Sequence, residues 1–147
     1  IGWESMPGGG TTDYAVEIFH EAIKTRKYTC FLSAERSLPM MYMADAIKAT
    51  IGIMEASSEK IKIRTSYNIS AFNFNPKELA AEIKRHFPDF IIEYSPDKRD
   101  LLASSWPNSI DDSCSRNDWE WKPSYDFSQM VNDIILNLKI KYKEELI

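Results

Sequence analysis

Pro7-Gly8-Gly9-Gly10-Thr11-Thr12-Asp13-Tyr14 reads as a glycine loop feeding directly into a helix. Residues 5–10 carry strong turn chemistry, and Thr11, Thr12 and Asp13 bring side-chain oxygens that cap a helix start. Ala15, Ile18, Phe19, Ala22 and Ile23 then recur at helical spacing and predict a helix to about Arg26. Lys24, Arg26 and Lys27 suit the negative pole of its dipole. Glycines let a backbone approach a ligand closely, and a helix start points free N–H groups at the loop before it. That arrangement can hold a carboxylate or phosphate. Thr11 adds a hydroxyl and Asp13 a carboxylate that could receive an ammonium group, a pairing that suits an amino acid. A flexible linker ending in an ordinary capped helix fits the same residues, and pattern alone leaves both readings open. The glycines are not a dinucleotide fingerprint, because the third glycine of G-x-G-x-x-G would fall at position 13, where Asp13 stands.

Outward from this junction the chain alternates short strands with helices. Strands are expected at residues 28–32, 65–70 and 90–94, with an extended segment at 40–42. A helix is expected over 43–56, with Ala46, Ile47, Ile51 and Met54 facing inward and Gly52 marking close packing. Asn75-Pro76-Lys77-Glu78 is a helix start: Asn75 caps, Pro76 sits where its missing N–H costs nothing, and Glu78 closes a capping box. Helices over 97–104 and 112–119 follow. A last helix begins near Phe127 and carries Met130, Val131, Ile134, Ile135 and Leu138 inward; residues 139–147 are charged and expected to fray. The fold class expected is α/β: a helix-rich, single substrate-binding region over 1–147 with short strands, in which 1–10 form a substrate loop.

Composition narrows the function. The chain has 147 residues, 44% hydrophobic and 27% charged, which is ordinary for one globular domain. Its net charge of -4, with basic residues scattered among acidic ones, gives no footprint for nucleic acid. No apolar run nears the roughly 18 residues of a membrane span. Cys30 and Cys114 have neither disulfide-framework nor zinc spacing. Tyr94-Ser95-Pro96-Asp97-Lys98 matches the Tyr-x-x-x-Lys acid–base pair of short-chain dehydrogenases. Pro96 follows a strand and Asp97 is cap-like, so the pair would not share a helix face. His20 and His86 read as surface or capping residues, and Asp111 and Asp112 as helix caps. Trp106 is a loop aromatic, either a core anchor or a lid over a ligand; Trp119 and Trp121 read as core.

Five separated blocks occur in one order: PGGGTTDYA, LPMMYMADAIKAT, SYNISAF, YSPDKRDLLASSWP and DDSCSRNDWEW. Together they resemble the C-terminal part of the short-chain-type NAD-dependent L-threonine 3-dehydrogenases, extended short-chain dehydrogenases close to the nucleotide-sugar epimerases. The resemblance implies a longer protein whose other half is a Rossmann domain bearing the NAD site and the Tyr/Lys pair. It implies oxidation of L-threonine to 2-amino-3-ketobutyrate with NAD, a homodimer, and a cytoplasmic (bacterial) or mitochondrial (animal) compartment. It implies that this chain, which begins at Ile1, is inactive alone and contributes a substrate wall of Gly9, Gly10, Thr11, Asp13 and Trp106, with no catalytic, cofactor or metal residue of its own. Two departures stand out: Asp45 alone remains of the family's acidic pair, and Glu120 replaces a common glycine. An epimerase or dehydratase, with Arg99 gripping a diphosphate, is the first alternative; a non-enzymatic truncated product is the second.

Overall fold

The computed structural model describes residues 1–144. Six helices and four short strands occur among them. They are α1 (Tyr14–Lys24), β1 (Lys27–Cys30), β2 (Leu38–Met40), α2 (Met43–Glu55), β3 (Phe72–Phe74), α3 (Pro76–Lys84), β4 (Ile91–Tyr94), α4 (Lys98–Ser104), α5 (Ser113–Trp119) and α6 (Phe127–Glu144). The helix-rich α/β character expected from the sequence is what the chain adopts. β1 and β4 pair in parallel, Lys27 opposite Ile91 and Cys30 opposite Tyr94, with α3 in the crossover. β2 and β3 pair antiparallel, Leu38 opposite Phe74.

The apolar stripes of α1, α3 and α6 close over β1 and form the main core. Tyr14, Ile18 and Phe19 of α1, Leu79 and Ile83 of α3, and Met130, Ile134 and Leu138 of α6 are all buried there. Each such side chain contributes roughly 1.5–3 kcal/mol by leaving water. The capping box at α3 forms as expected: Asn75 Oδ1 accepts from Glu78 N at 2.9 Å, and Glu78 Oε2 accepts from Asn75 N at 2.9 Å. α6 continues to Glu144, through much of the stretch expected to fray, and Tyr142 on it hydrogen-bonds His20. Residues 145–147 lie outside the described residues.

A second, smaller cluster joins α2 to α5. Ala49, Trp119 and Trp121 form its centre, and a Cβ built on Gly52 would stand 3.5 Å from the Trp119 ring. The close packing expected at Gly52 is therefore real. Asp45 is fully buried and accepts from Ser124 N at 2.7 Å and Tyr125 N at 3.1 Å. It ties α2 to the segment before α6.

Four expectations fail for identifiable reasons. Residues 65–70 are not a strand, because side chains satisfy their backbone: Ser115 Oγ donates to Asn68 O at 2.7 Å and Trp121 Nε1 to Ser70 O at 3.0 Å. His20 is not on the surface but buried under α6. Asp112 caps no helix by its side chain; Arg116 Nε donates to it at 2.8 Å, and Asp111 instead accepts from Ser113 N at 2.9 Å. Most consequential is α2. Ile47, Ile51 and Met54, expected inward, are 53%, 48% and 78% exposed, and Met43 is 48% exposed. Periodicity located an apolar face but not what covers it, and α2 packs on α5 through the opposite side.

Candidate substrate site

α1 begins at the glycine loop, and its first turn fixes the loop's geometry. Val16 N and Glu17 N both donate to Asp13 O at 2.9 Å, and Asp13 N donates to Gly10 O at 3.2 Å. The Asp13 side chain does not cap α1. It turns back, and Oδ2 accepts from Gly8 N at 2.7 Å, Gly9 N at 2.7 Å and Gly10 N at 2.8 Å. Three consecutive N–H groups thus converge on one carboxylate oxygen, a backbone nest. The pattern reading offered a ligand anion the free N–H groups at the helix start; in the folded chain the loop's own glycine N–H groups converge on the Asp13 carboxylate. Gly9 has φ +97°, a conformation open to glycine at no steric cost, and a Cβ at Gly8 or Gly9 would meet nothing within 4 Å. Backbone conformation at Gly9, rather than crowding, is what demands glycine.

Beside the loop lies a cavity of about 360 Å³ whose walls include Trp3, Met6, Gly8, Asp13, Tyr42 and Ile47. Its floor is made where the chain's first residues lie against the entry to α2: Ile1 N donates to Met41 O at 2.8 Å and Met43 N to Ile1 O at 2.7 Å. Tyr42 is held by a hydrogen bond to Asp133 and an edge contact with Tyr125, ring centroids 4.8 Å apart. Burial, and then the Asp133 carboxylate, push its phenol well above the ordinary range. Tyr42 is a neutral wall, not a base. Its neighbours Trp3, Met6 and Ile47 were not read as site residues; only folding brings residues 1–8, 13 and 42–47 together.

Of the residues expected in the site, Asp13 lines this cavity directly, together with Gly8 of the same loop. Gly9 and Gly10 form the exposed part of the loop, and Thr11 is half-buried in the turn before α1. Trp106 follows α4, its N–H donating to Ala103 O at 3.1 Å and its side chain 43% exposed. It is neither a core anchor nor part of the wall of this cavity, and Leu101 and Leu102 beside it are exposed as well. Arg99 is held by Asp97 and Phe31: Nη2 grips Asp97 at 2.6 Å and the guanidinium lies 3.2 Å above the Phe31 ring. Tyr94 ends β4 and Lys98 begins α4, so they share no helix face. Cys30 is buried, which pushes its thiol up to about 11, and Cys114 is exposed; both are free thiols. No group of three potential metal ligands occurs among the described residues. None of their helices is long and apolar enough to cross a membrane.

The arrangement of these elements is shared with known proteins. A solved L-threonine dehydrogenase from Phytophthora infestans superposes with a TM-score of 0.92 at 50% identity, over 95% of this chain and 45% of that one. This chain is homologous to the L-threonine 3-dehydrogenases. The mitochondrial L-threonine 3-dehydrogenase of Bos taurus is 47% identical over 136 residues, 92% of this chain and 36% of the relative. An uncharacterised epimerase/dehydratase of Staphylococcus haemolyticus is 48% identical over 126 residues, 85% of this chain and 40% of that protein. No family model matches the chain. The homology to threonine dehydrogenases read from the five blocks is thereby established, and so is the helix-rich fold of that part of the family. The chain spans 36–45% of the length of these relatives.

Proposed function

We propose that this chain is the substrate-binding part of an NAD-dependent L-threonine 3-dehydrogenase, which oxidises L-threonine at its hydroxyl carbon to 2-amino-3-ketobutyrate. The observation carrying this reading is the glycine loop joined to α1 and walling a cavity, in a chain half identical to solved threonine dehydrogenases. Within that reading, Gly9, Gly10 and Thr11 shape and line the threonine pocket, and Trp106 closes it from the α4 side once the rest of the protein is in place. NAD, when bound, accepts the hydride. In this reading the NAD site and the Tyr/Lys pair belong to the part of the relatives' length that this chain does not span, as the resemblance implies. The exposed stripe on α2 and the cavity floor at Ile1 offer that portion an apolar seat. The complete protein acts as a homodimer in this reading.

The epimerase or dehydratase reading rests on the staphylococcal relative. Against it, the Arg99 guanidinium that would grip a diphosphate is committed to Asp97 and Phe31. The test is turnover by the complete protein. NADH is expected to accumulate with L-threonine and not with UDP-sugars, and this chain alone is expected to form none. The reverse substrate preference would overturn the proposal. Thr11→Ala is expected to lower kcat/KM for L-threonine about tenfold, a loss of about 1.4 kcal/mol in transition-state binding, with NAD affinity unchanged. Equal loss of both would make the loop structural.

A further inference from the structure

We infer that Asp13 is a positioning residue, which holds the substrate loop in shape through the three glycine N–H groups rather than by contacting the substrate's ammonium group. This inference rests on the threonine dehydrogenase reading for its kinetic arm, but its structural arm stands without it.

The argument starts from what the carboxylate already does. Oδ2 accepts three N–H groups at 2.7, 2.7 and 2.8 Å. Such charge-assisted bonds are short and strong, and three on one oxygen leave it no capacity for a ligand donor. The whole carboxylate packs against Gly10: Oδ1, Cγ and Oδ2 would stand 3.4, 3.6 and 3.6 Å from a Cβ built there. The backbone of Asp13 is meanwhile bound into the first turn of α1, where its carbonyl accepts from Val16 and Glu17. The next two residues, Tyr14 and Ala15, are fully buried. Asp13 therefore connects two unlike things, an exposed glycine triplet with no side chains to fix it and a helix anchored in the main core. Without that link, three successive glycines have more conformational freedom than any other triplet. With it, the loop takes a single course along the cavity, and Gly8 and Asp13 become part of the wall. The residue choice fits the task. An Asp side chain is short enough to fold back over its own loop, and its negative charge matches the converging N–H dipoles.

A positioning role and a ligand role differ in what they do to an analogue without the amino group. If Asp13 gripped the ammonium, its loss would weaken L-threonine and spare 3-hydroxybutanoate, which lacks that group. If Asp13 shapes the loop, both lose affinity alike. In the complete protein, Asp13→Ala and Asp13→Asn are each compared with wild type for KM and kcat with L-threonine and for inhibition by 3-hydroxybutanoate. The expected result is a rise of about tenfold in both constants for Asp13→Ala, a smaller parallel rise for Asp13→Asn, which keeps one acceptor oxygen, and unchanged NAD affinity. Labelling with 15N-glycine supplies the second readout. The amide signals of Gly8, Gly9 and Gly10 are expected downfield in wild type and displaced together upfield in Asp13→Ala, with the signals of Gly2 and Gly52 held. A loss confined to L-threonine, or glycine signals that ignore the substitution, would overturn the inference. Absence of wild-type turnover with L-threonine would sink the functional proposal instead, and the glycine signals would still decide the role of Asp13.

Discussion

Glu120 shows how a single departure from a family pattern is absorbed. Sequence marked it as a residue standing where glycine is common, and the turn keeps the left-handed conformation regardless, with φ 63° at the C-cap of α5. Left-handed backbone costs a non-glycine residue roughly 1–2 kcal/mol. The compensation in view is an ion pair with Lys60 at 3.1 Å between two well-exposed side chains, which is worth little in water. Glu120→Gly is therefore expected to stabilise the chain by about 1 kcal/mol, read as a higher Tm with unchanged far-UV circular dichroism. A fall in Tm would show that the Lys60 contact outweighs the backbone strain. Arg26 shares the positive φ, 60°, but offsets it differently: its guanidinium donates to the carbonyls of Ala22 and Ile23 and lies 4.1 Å over the Phe87 ring. The same backbone outlier thus has two meanings, set by what the side chain touches.

At the scale of elements, α2 separates pattern from environment. Its start, its end and the tight approach at Gly52 were legible, because helical spacing, length and a lone glycine are local signals. The burial of its apolar face was not. Met43, Ile47, Ile51 and Met54 recur at helical spacing whether the partner is this chain or another part of a longer protein. Ile47→Ser with Ile51→Ser is expected to change the Tm of this chain by no more than a degree or two, since both side chains are about half exposed, and to reduce its self-association in sedimentation velocity. The same pair of changes in the complete protein is expected to be strongly destabilising. A large loss of Tm in the chain alone would mean that the stripe is already covered. By contrast the start of α3 was readable to the residue, because Asn75, Pro76 and Glu78 build its first turn without help from elsewhere, while its end, expected near Phe87-Pro88, falls at Lys84. The segment 65–70 failed as a strand because residues far along the chain, Ser115 of α5 and Trp121 just after it, take up its backbone carbonyls.

For the molecule as a whole, carboxylates that bind distant segments set the response to acid. Asp100 at the start of α4 accepts from Ser33 N at 3.0 Å, Ser33 Oγ at 2.7 Å and Arg36 at 3.0 and 3.1 Å. Arg36 first, and then the Ser33 bonds, hold its carboxyl well below the ordinary carboxylate range, and Arg116 lowers that of Asp112. Because the folded values lie below the unfolded ones, near 3.9, the stability they contribute is complete above that value and is lost as pH falls toward the folded values. Unfolding is expected to become easier below about pH 4. Asp100→Asn is expected to cost about 2–3 kcal/mol at neutral pH and to flatten the acid limb of a urea-stability profile; an unchanged acid limb would assign it to other groups. Sequence by itself determined the order of helices, the capped start of α3, the glycine loop before α1 and the homology to threonine dehydrogenases, because each is written in local spacing or in ordered blocks of residues. Tertiary structure alone decided that His20 is buried under α6, that Asp13 fills its own loop, that Tyr42 and residues 1–8 wall the cavity, and that the α2 stripe is bare. Those outcomes depend on which surfaces meet, and contacts between residues far apart in the chain leave no periodic trace along it.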